Sequence, residues 1–351
     1  MGFDLNNLLR ENIKTLVPYS SARDEFTGDA SIYLDANENS LGSPLTKWYN
    51  RYPDPLQRQL KEKIGSIKGI DPEGIFLGNG SDECIDILIR AFCEPGVDNM
   101  LICPPTYGMY EVSAAINNVA VRKVPLTDSF QLDLPAIENA VDDHTKMIFL
   151  CSPNNPTGNA IHREDVEAVL NNYFGIVVID EAYINFSRFR SFSQELKDYP
   201  QLVIMQTLSK AWGLAALRVG MSFASREIIG IMNRIKPPYN INQASQELAM
   251  TALDNVESVN EMIRELVVQR KLMEEELPSV PVIRKLFPSE ANFILAKVSN
   301  APAVYHYLLE AGIVVRLRKN ILIFGDCLRI TVGTPEENGR LIEALKNFKE
   351  Q

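Results

Sequence analysis

The sequence contains little of what metal centres and disulfide scaffolds require. It has three histidines in 351 residues, and they lie far apart at His144, His162 and His306. Its five cysteines, at positions 84, 93, 103, 151 and 327, include no CxxC pair. We therefore expect no bound metal and no disulfide framework. An odd number of cysteines favours reduced thiols and a cytoplasmic location.

Long apolar runs and an excess of positive charge are also missing. No apolar segment approaches the roughly 20 residues that cross a bilayer, and the start, MGFDLNNLLRENIKTL, is too polar for a secretory signal. Lys and Arg number 35 against 45 Asp and Glu, for a net charge of −10. We expect neither membrane nor nucleic acid as a partner. An anionic substrate must then be bound by locally placed arginines.

Apolar runs alternate with helical patterns between residues 75 and 225, which predicts an α/β fold with a mostly parallel sheet. The strand candidates are IFLG (75–78), MLIC (100–103), KMIFLC (146–151), GIVVID (175–180), LVIMQT (202–207) and VGMSFA (219–224). Their nearly continuous apolarity indicates burial on both faces. The segment from 242 to 277 predicts a long helix, since neither Pro nor Gly interrupts it.

After Pro278 the pattern predicts a smaller α+β domain. Its strand candidates are VIRKLF (282–287), NFILAKV (292–298), IVVRLRK (313–319) and CLRITVG (327–333), with helices near 301–311 and 335–348. Two domains are also the natural expectation at this length.

Three polar motifs follow predicted strands, and each is ambiguous alone. NPTG (155–158) is typical of a turn. Asp180, in DEAY (180–183), ends an apolar strand, where open α/β sheets bind ligands. Lys210 lies in SKAWGLAALRVG (209–220), and an unpaired lysine there would be costly to bury. A structural lysine would extend its amine into solvent instead.

The order of the motifs is informative as a set. GNGSDE (78–83), PPTYGMY (104–110), NPTG, DEAY, SK and LRVG together resemble the fold-type I pyridoxal-phosphate aminotransferases. Further segments resemble the histidinol-phosphate aminotransferase family in particular: VPYSSAR (17–23), LDANEN (34–39), RYPD (51–54), CSPNNPTG (151–158), PPYNIN (237–242) and LRITVGT (328–334). One departure is Ser40, where the family often has a proline.

The resemblance implies pyridoxal phosphate as cofactor and a set of catalytic residues around it. Lys210 would condense with the cofactor aldehyde and later move the proton between the substrate and cofactor carbons. Asp180 would keep the pyridine nitrogen protonated. Tyr183 and Asn155 would donate hydrogen bonds to the phenolate oxygen, and Tyr107 would stack on the ring.

The resemblance also places the cofactor phosphate at the helix that follows Gly80. The backbone N–H groups of Ser81 and Asp82 would bind it, because a helix N-terminus attracts anions. Thr207, Ser209 and Arg218 would complete that site. We expect Asp82 to contribute only its backbone, since its carboxylate would repel the phosphate.

The implied reaction converts L-histidinol phosphate and 2-oxoglutarate to imidazole-acetol phosphate and L-glutamate, a step of histidine biosynthesis. Arg329 would hold the glutamate carboxylate in a bidentate contact. The resemblance assigns Arg316, Tyr19 and Asn37 to substrate binding as well. We expect Arg318 to face solvent, although alternation along the strand does not settle which of the two neighbouring arginines points inward.

The resemblance further implies a homodimer, in which Tyr52 of one subunit reaches the cofactor phosphate of the other. We expect an N-terminal arm (1–35) that joins the small domain, a large cofactor-binding domain (36–260) and a small C-terminal domain (261–351).

Three other functions remain open at this point. Threonine-phosphate decarboxylase would need the same cofactor site and a phosphate-binding group, and aromatic-amino-acid transamination is a second candidate or a side activity. A regulatory sensor would ordinarily carry a DNA-binding module, and the motifs leave no segment for one. The joint presence of Lys210, Asp180, Tyr183 and Arg329 favours catalysis over sensing.

Overall fold

A computed structural model describes residues 2–19, 32–47 and 49–349. The described helices are α1 (Leu5–Leu8), α2 (Glu11–Lys14), α3 (Arg58–Lys68), α4 (Ser81–Phe92), α5 (Met109–Ile116), α6 (Leu134–Ala140), α7 (Arg163–Asn172), α8 (Arg226–Ile235), α9 (Gln243–Leu253), α10 (Val256–Glu276), α11 (Ala301–Glu310) and α12 (Pro335–Asn347). The described strands are β1 (Ile75–Asn79), β2 (Asn99–Ile102), β3 (Ala120–Lys123), β4 (Thr145–Cys151), β5 (Ile176–Asp180), β6 (Leu202–Thr207), β7 (Val219–Phe223), β8 (Ile283–Leu286), β9 (Phe293–Val298), β10 (Arg316–Arg318) and β11 (Cys327–Thr331).

The larger sheet has seven strands in the order β1-β7-β6-β5-β4-β2-β3. Strand β7 is antiparallel to both of its neighbours, and the pairs from β6 to β3 are parallel. The carboxyl ends of the parallel strands therefore meet at one edge, which is where ligands bind in sheets of this type. This confirms the expected mostly parallel sheet.

Side chains of the central strands enter two cores, one on each face of the sheet. Along β5, Ile176 and Val178 belong to one core, and Val177 and Ile179 belong to the other. All four are fully buried. Helices cover both faces, so every strand position must be apolar, and this explains why these strand segments show no alternation in the sequence.

The smaller sheet is antiparallel, with the order β10-β11-β9-β8, and it packs with α11 and α12 around a third core. Helix α10 connects the two parts, since Val259 packs in a core of the larger sheet and Met273 in the core of the smaller one. The predicted boundary between residues 260 and 261 falls inside this helix and stays a prediction. In the predicted N-terminal arm, Leu9 and Ile13 pack on the larger sheet's side, in the core that contains α4.

Two sequence predictions about individual elements were wrong or incomplete. The segment from 242 to 277 contains two helices instead of one, because α9 ends at Leu253 and α10 begins at Val256. Strand β3 was not predicted: it is a short edge strand in which no residue is buried, so it lacks the apolar run of the central strands. The described residues include no helix long and apolar enough to cross a membrane.

Two glycines bring β7 close to the start of α4. Gly220 pairs with Gly78 across the β1–β7 ladder, and a Cβ atom on Gly220 would lie 2.2 Å from the Ser81 nitrogen. Gly80, at φ +74°, precedes the helix and donates a hydrogen bond from its N–H to the Arg218 carbonyl at 2.8 Å. Position 220 therefore has no room for a side chain.

We expect Gly220→Ala to lower the free energy of unfolding by about 1–3 kcal/mol or more, because the added methyl group must displace backbone. Gly230→Ala is the matched control, since it lies inside α8 and a Cβ there meets nothing within 4 Å. That control should raise stability by about 0.5–1 kcal/mol through helix propensity. Urea unfolding of both variants measures this, and equal stabilities would contradict the assigned close approach.

Candidate active site

A cavity of about 320 Å³ lies at the carboxyl ends of the parallel strands, and residues of the smaller sheet also line it. Its lining residues are Ser81, Asp82, Tyr107, Cys151, Asn155, Asp180, Ala182, Tyr183, Thr207, Ser209, Lys210, Ala215, Arg218, Arg316, Arg318 and Arg329. The volume is in the range of small-molecule sites. The structure thus brings together every predicted site residue except Tyr19, Asn37 and Tyr52.

Lys210 follows β6 and exposes its amine to the cavity. Partial burial, together with the guanidinium of Arg329, lowers the pKa of this amine, and Asp180 acts in the opposite direction. Among the described residues, no carboxylate forms an ion pair with it. The Nζ atom lies 5.8 Å from the centre of the Tyr183 ring. A lysine in these surroundings holds a larger fraction of its amine unprotonated, which makes it nucleophilic.

Asp180 ends β5 and is buried. The Tyr110 hydroxyl donates a hydrogen bond to its Oδ2 atom at 2.6 Å, and the Ala182 N–H donates to Oδ1 at 3.0 Å. Burial raises the pKa of this carboxyl group, and the two hydrogen bonds partly offset the rise. Tyr110 was not among the site residues predicted from the sequence. The sequence feature that could have identified it is its spacing of three residues from Tyr107, at the start of a helix.

The start of α4 and the residues around it form one end of the cavity. No side chain caps this helix, so its first N–H groups stay available. The Ser209 N–H donates to Thr207 Oγ1 at 3.1 Å, and an Arg218 nitrogen lies 3.5 Å from Asp82 Oδ2. Tyr107 also donates to Asp82 at 3.0 Å. Asp82 lines the cavity, and the prediction that only its backbone contacts the cofactor phosphate stays a prediction.

Asn155 and Tyr183 also line the cavity. Arg329 donates a hydrogen bond to the Asn155 amide oxygen, and because arginine only donates, the Asn155 amide N–H groups must point elsewhere. Tyr183 is buried, and burial raises the pKa of its hydroxyl. Both residues therefore present N–H or O–H donors.

Three arginines of the smaller sheet lie on the face that borders the cavity. Arg316 and Arg318 are two residues apart on β10, so they share one face of the strand, and Arg316 pairs with Arg329 of β11. The expectation that Arg318 faces solvent was wrong, since Arg318 lines the cavity and is half-buried. Arg318 lies beside the cavity because it shares one face of β10 with Arg316, which pairs with Arg329.

Three predicted residues lie away from this cavity in the single chain. Tyr52 is half-exposed and stacks on Tyr239 with ring centres 4.5 Å apart. Asn37 and Tyr52 line a separate surface cavity of about 640 Å³. Tyr19 is 75% exposed and lines another, of about 610 Å³. Their predicted roles stay predictions, and that of Tyr52 concerns a second subunit.

The described residues contain no group of three or more His, Cys, Asp or Glu side chains placed to hold a metal ion. The five cysteines are free and buried. His144 and His162 are exposed residues next to Asp98 and Asp165.

Comparisons with known proteins agree with this fold. The model of the family "Aminotransferase class I and II" matches residues 36–345. A histidinol-phosphate aminotransferase of Cytophaga hutchinsonii is 54% identical over 99% of this chain and 100% of its own length. The crystal structure of the histidinol-phosphate aminotransferase from Clostridium acetobutylicum has a TM-score of 0.78 and 29% identity, over 85% of this chain and 90% of that one.

A second structure, a histidinol-phosphate aminotransferase from Sinorhizobium meliloti in complex with pyridoxal-5′-phosphate, has a TM-score of 0.78 at 23% identity, over 84% of this chain and 82% of that one. It supports the fold. Because the family model spans most of the chain and a relative matches it end to end, the chain belongs to the class I and II aminotransferases and, within them, to the histidinol-phosphate aminotransferases.

Proposed function

We propose that this protein transfers the amino group of L-histidinol phosphate to 2-oxoglutarate, with pyridoxal phosphate as cofactor. The observation that carries the proposal is one cavity that combines an amine without an ion pair among the described residues, a buried carboxylate and three arginines from two neighbouring strands of the smaller sheet. An acidic chain that concentrates arginines in one cavity is suited to anionic substrates. The buried, unpaired thiols support a cytoplasmic location.

The residues present fit pyridoxal phosphate. The N-terminus of α4, Thr207, Ser209 and Arg218 offer donors to its phosphate, and Asp180 offers a buried carboxylate to its ring nitrogen. When bound, pyridoxal phosphate supplies an aldehyde that condenses with amines and a ring that accepts the electron pair left when the substrate C–H bond breaks. The class I and II family uses this cofactor, which supports the assignment.

Lys210 would act first as a nucleophile and then as a base. Its lowered pKa leaves more of the amine unprotonated near neutral pH, and this form attacks a carbonyl carbon. Once substrate has displaced it, the same amine can remove a proton from the substrate carbon and return it to the adjacent cofactor carbon. The other cationic side chains that line the cavity are arginines, whose guanidinium groups stay protonated and cannot perform this transfer.

Asp180 would hold positive charge on the ring nitrogen. Two opposite charges about 4 Å apart gain about 4 kcal/mol at an effective dielectric constant near 20, which is roughly three pKa units, against about 1 kcal/mol in water. Burial of Asp180 therefore makes the interaction effective. Tyr110 and the Ala182 N–H fix the orientation of the carboxylate.

The arginine face would bind the anionic ends of both substrates in turn. Arg329 rests over the Phe293 ring, 5.2 Å from its centre, and its contact with Asn155 orients the fork for a carboxylate. Arg316 is more exposed and would bind the phosphate of histidinol phosphate. Tyr19 and Asn37 are proposed to contact substrate in the assembled dimer.

The test of this proposal is a product assay. Purified protein loaded with cofactor should form glutamate from 2-oxoglutarate only when histidinol phosphate is present, and Lys210→Ala should abolish it. Lys197→Ala is the control, because Lys197 is an exposed lysine outside the cavity. Release of carbon dioxide from threonine phosphate without an amino acceptor would identify the decarboxylase instead, and preference for aromatic amino acids would identify an aromatic-amino-acid transaminase.

Asp180→Asn should lower kcat by about 100- to 1000-fold, as expected when a preorganised charge is removed. The same change should stabilise the cofactor-free protein, because the raised pKa means that the ionised carboxylate is less favourable in the folded than in the unfolded chain. Each pKa unit corresponds to about 1.4 kcal/mol. The asparagine retains an acceptor for the Ala182 N–H and a donor toward Tyr110.

Thermal unfolding against pH checks the sign of this effect. The unfavourable contribution of Asp180 is complete above its folded pKa and disappears as pH falls toward 3.8, the ordinary value. The Tm advantage of Asp180→Asn should therefore be largest near pH 8 and shrink on acidification. An advantage that grows as pH falls would contradict the burial argument.

We also propose a homodimer in which each site takes Lys210 from one chain and Tyr52 from the other. A two-fold contact is reciprocal, so mixed dimers of Lys210→Ala and Tyr52→Ala chains would have one site with both defects and one with neither. If Tyr52→Ala alone is severely impaired, mixing the two variants should restore activity. Lys210→Ala mixed with Asp180→Asn is the control, because each site then keeps one defect. Subunit exchange without recovery would place Tyr52 in its own chain's site.

A further inference from the structure

Lys236 is a buried lysine whose ammonium group binds the backbone of two segments. It directly follows α8 and is 6% exposed. Its Nζ atom donates hydrogen bonds to the carbonyl oxygens of Pro55 at 2.6 Å, Pro238 at 2.9 Å and Pro237 at 3.3 Å. An ammonium group carries three N–H donors, which matches three acceptors. Because burying it without acceptors would be costly, these carbonyls compensate its desolvation.

The carbonyls belong to two segments that meet at a pair of aromatic rings. Pro55 lies three residues after Tyr52, and Pro238 directly precedes Tyr239. The rings of Tyr52 and Tyr239 are stacked, with centres 4.5 Å apart and planes 13° from parallel. Lys236 therefore joins the two segments beside this ring pair, since one ammonium group binds both.

The segment that contains Tyr239 is attached to the larger sheet on both sides of the ring. Asn240 donates from its amide nitrogen to the Leu77 carbonyl of β1 at 2.9 Å and to a Glu83 carboxylate oxygen of α4 at 2.8 Å. On the other side, Lys236 continues from α8, which packs in the same core as α4. Groups supported by a packed helix and a strand are placed more precisely than groups on a free loop.

Tyr52 is held by its backbone and by one ring face, while its side chain stays half-exposed. The Tyr52 N–H donates to Glu38 Oε1 at 2.7 Å, and Tyr239 covers one face of the ring. A side chain that is ordered before it binds loses less entropy when it contacts a second molecule. In the proposed homodimer, that contact is the cofactor phosphate of the other subunit.

We propose that Lys236 is a positioning residue that orients Tyr52 for the active site of the other subunit, a role that rests on the proposed function and its homodimer. A methionine could fill much of the same space, but it has no N–H group to bind the carbonyls. Without the ammonium group, the link from α8 to the Tyr52 segment would be lost. The Tyr52 hydroxyl group would then be less well placed for the phosphate.

The first test measures how tightly the dimer binds pyridoxal phosphate. In Lys236→Met the dissociation constant, followed by the absorbance of the cofactor, should rise about 10- to 100-fold, as expected for one lost hydrogen bond to a charged group. Tyr52→Phe, which removes only the hydroxyl group, should show a rise in the same range. The double variant should bind no more weakly than Tyr52→Phe alone, because both changes remove the same contact.

Two results of this measurement would overturn the inference. One is an unchanged dissociation constant in Lys236→Met. The other is a double variant whose rise equals the product of the two single rises, since Lys236 would then act independently of Tyr52.

Lys61→Met is the matched control, because Lys61 is also 6% exposed but lies on α3 instead of between the two segments. Burial, together with the charge of Lys236, lowers the pKa of Lys61 to about 8. Replacing this ammonium group should therefore not lower the melting temperature. The dissociation constant of the cofactor should stay within about threefold of the wild-type value.

A second variant covers the case in which Lys236→Met does not fold, which its melting temperature shows. Lys236→Arg keeps the charge, but a planar guanidinium group cannot direct its N–H groups as an ammonium group does. It should give a smaller rise in the dissociation constant, and no further rise when Tyr52→Phe is also present. A rise by the same factor in both backgrounds would contradict the proposed role.

Mixing of subunits tests whether Lys236 acts on the other subunit's site. In a mixed dimer of Lys236→Met and Lys210→Ala chains, one site would have both defects, and the other would combine an intact Lys210 with a correctly placed Tyr52. At a cofactor concentration near the wild-type dissociation constant, mixing should therefore restore glutamate formation. Subunit exchange without recovery would place the effect of Lys236 in its own chain's site and refute the inference.

The same measurements separate this role from the proposed function. If Lys210→Ala and Tyr52→Ala chains exchange without recovery, the shared site is refuted and the role of Lys236 with it. If the wild type forms no glutamate from histidinol phosphate, the proposed reaction is refuted, while the cofactor dissociation constants of the single and double variants still decide the role of Lys236.

Discussion

The buried carboxylate of Asp180 is the constraint on which the remainder of the site depends. It lies at the end of the central strand β5, and burial makes its negative charge unfavourable in the folded protein without cofactor. The sheet fixes its backbone, while Tyr110 and the Ala182 N–H satisfy one oxygen each. A carboxylate held in this way is suited to a cationic ring nitrogen. The buried charge of Asp180 therefore lowers the stability of the fold, and the proposed reaction requires that charge.

The same sheet edge positions the other residues of the cavity. Lys210 follows β6, next to β5, and the uncapped start of α4 follows β1. Gly220 allows the approach of β7 to that helix. Arginines come from two places: Arg218 from the larger sheet's loop and three from the smaller sheet. The proposed substrate recognition therefore depends on how the smaller sheet faces the larger one. The proposed chemistry uses residues of the larger sheet, and Arg329 of the smaller sheet also lowers the pKa of Lys210.

Much of this arrangement could be predicted from the sequence, because buried parallel strands and ordered motifs are local signals. The strands that carry Asp180 and Thr207 were identified from apolar runs, and the motif order identified the family. Strand β3 and the break between α9 and α10 were missed, since an exposed edge strand and a break without Pro or Gly have weak signals. Tyr110 and Arg318 act through tertiary contacts and strand register, which no single segment encodes.

The central claim is that one cavity holds a ring nitrogen against Asp180 and a phosphate monoester against the arginines of the smaller sheet. A crystal structure of the Lys210→Ala protein with pyridoxal phosphate and histidinol phosphate tests it most directly. The account predicts an Asp180 oxygen within hydrogen-bond distance of the ring nitrogen, and the substrate phosphate at Arg316. A substrate phosphate bound at Arg218, or a ring nitrogen without a carboxylate partner, would contradict it.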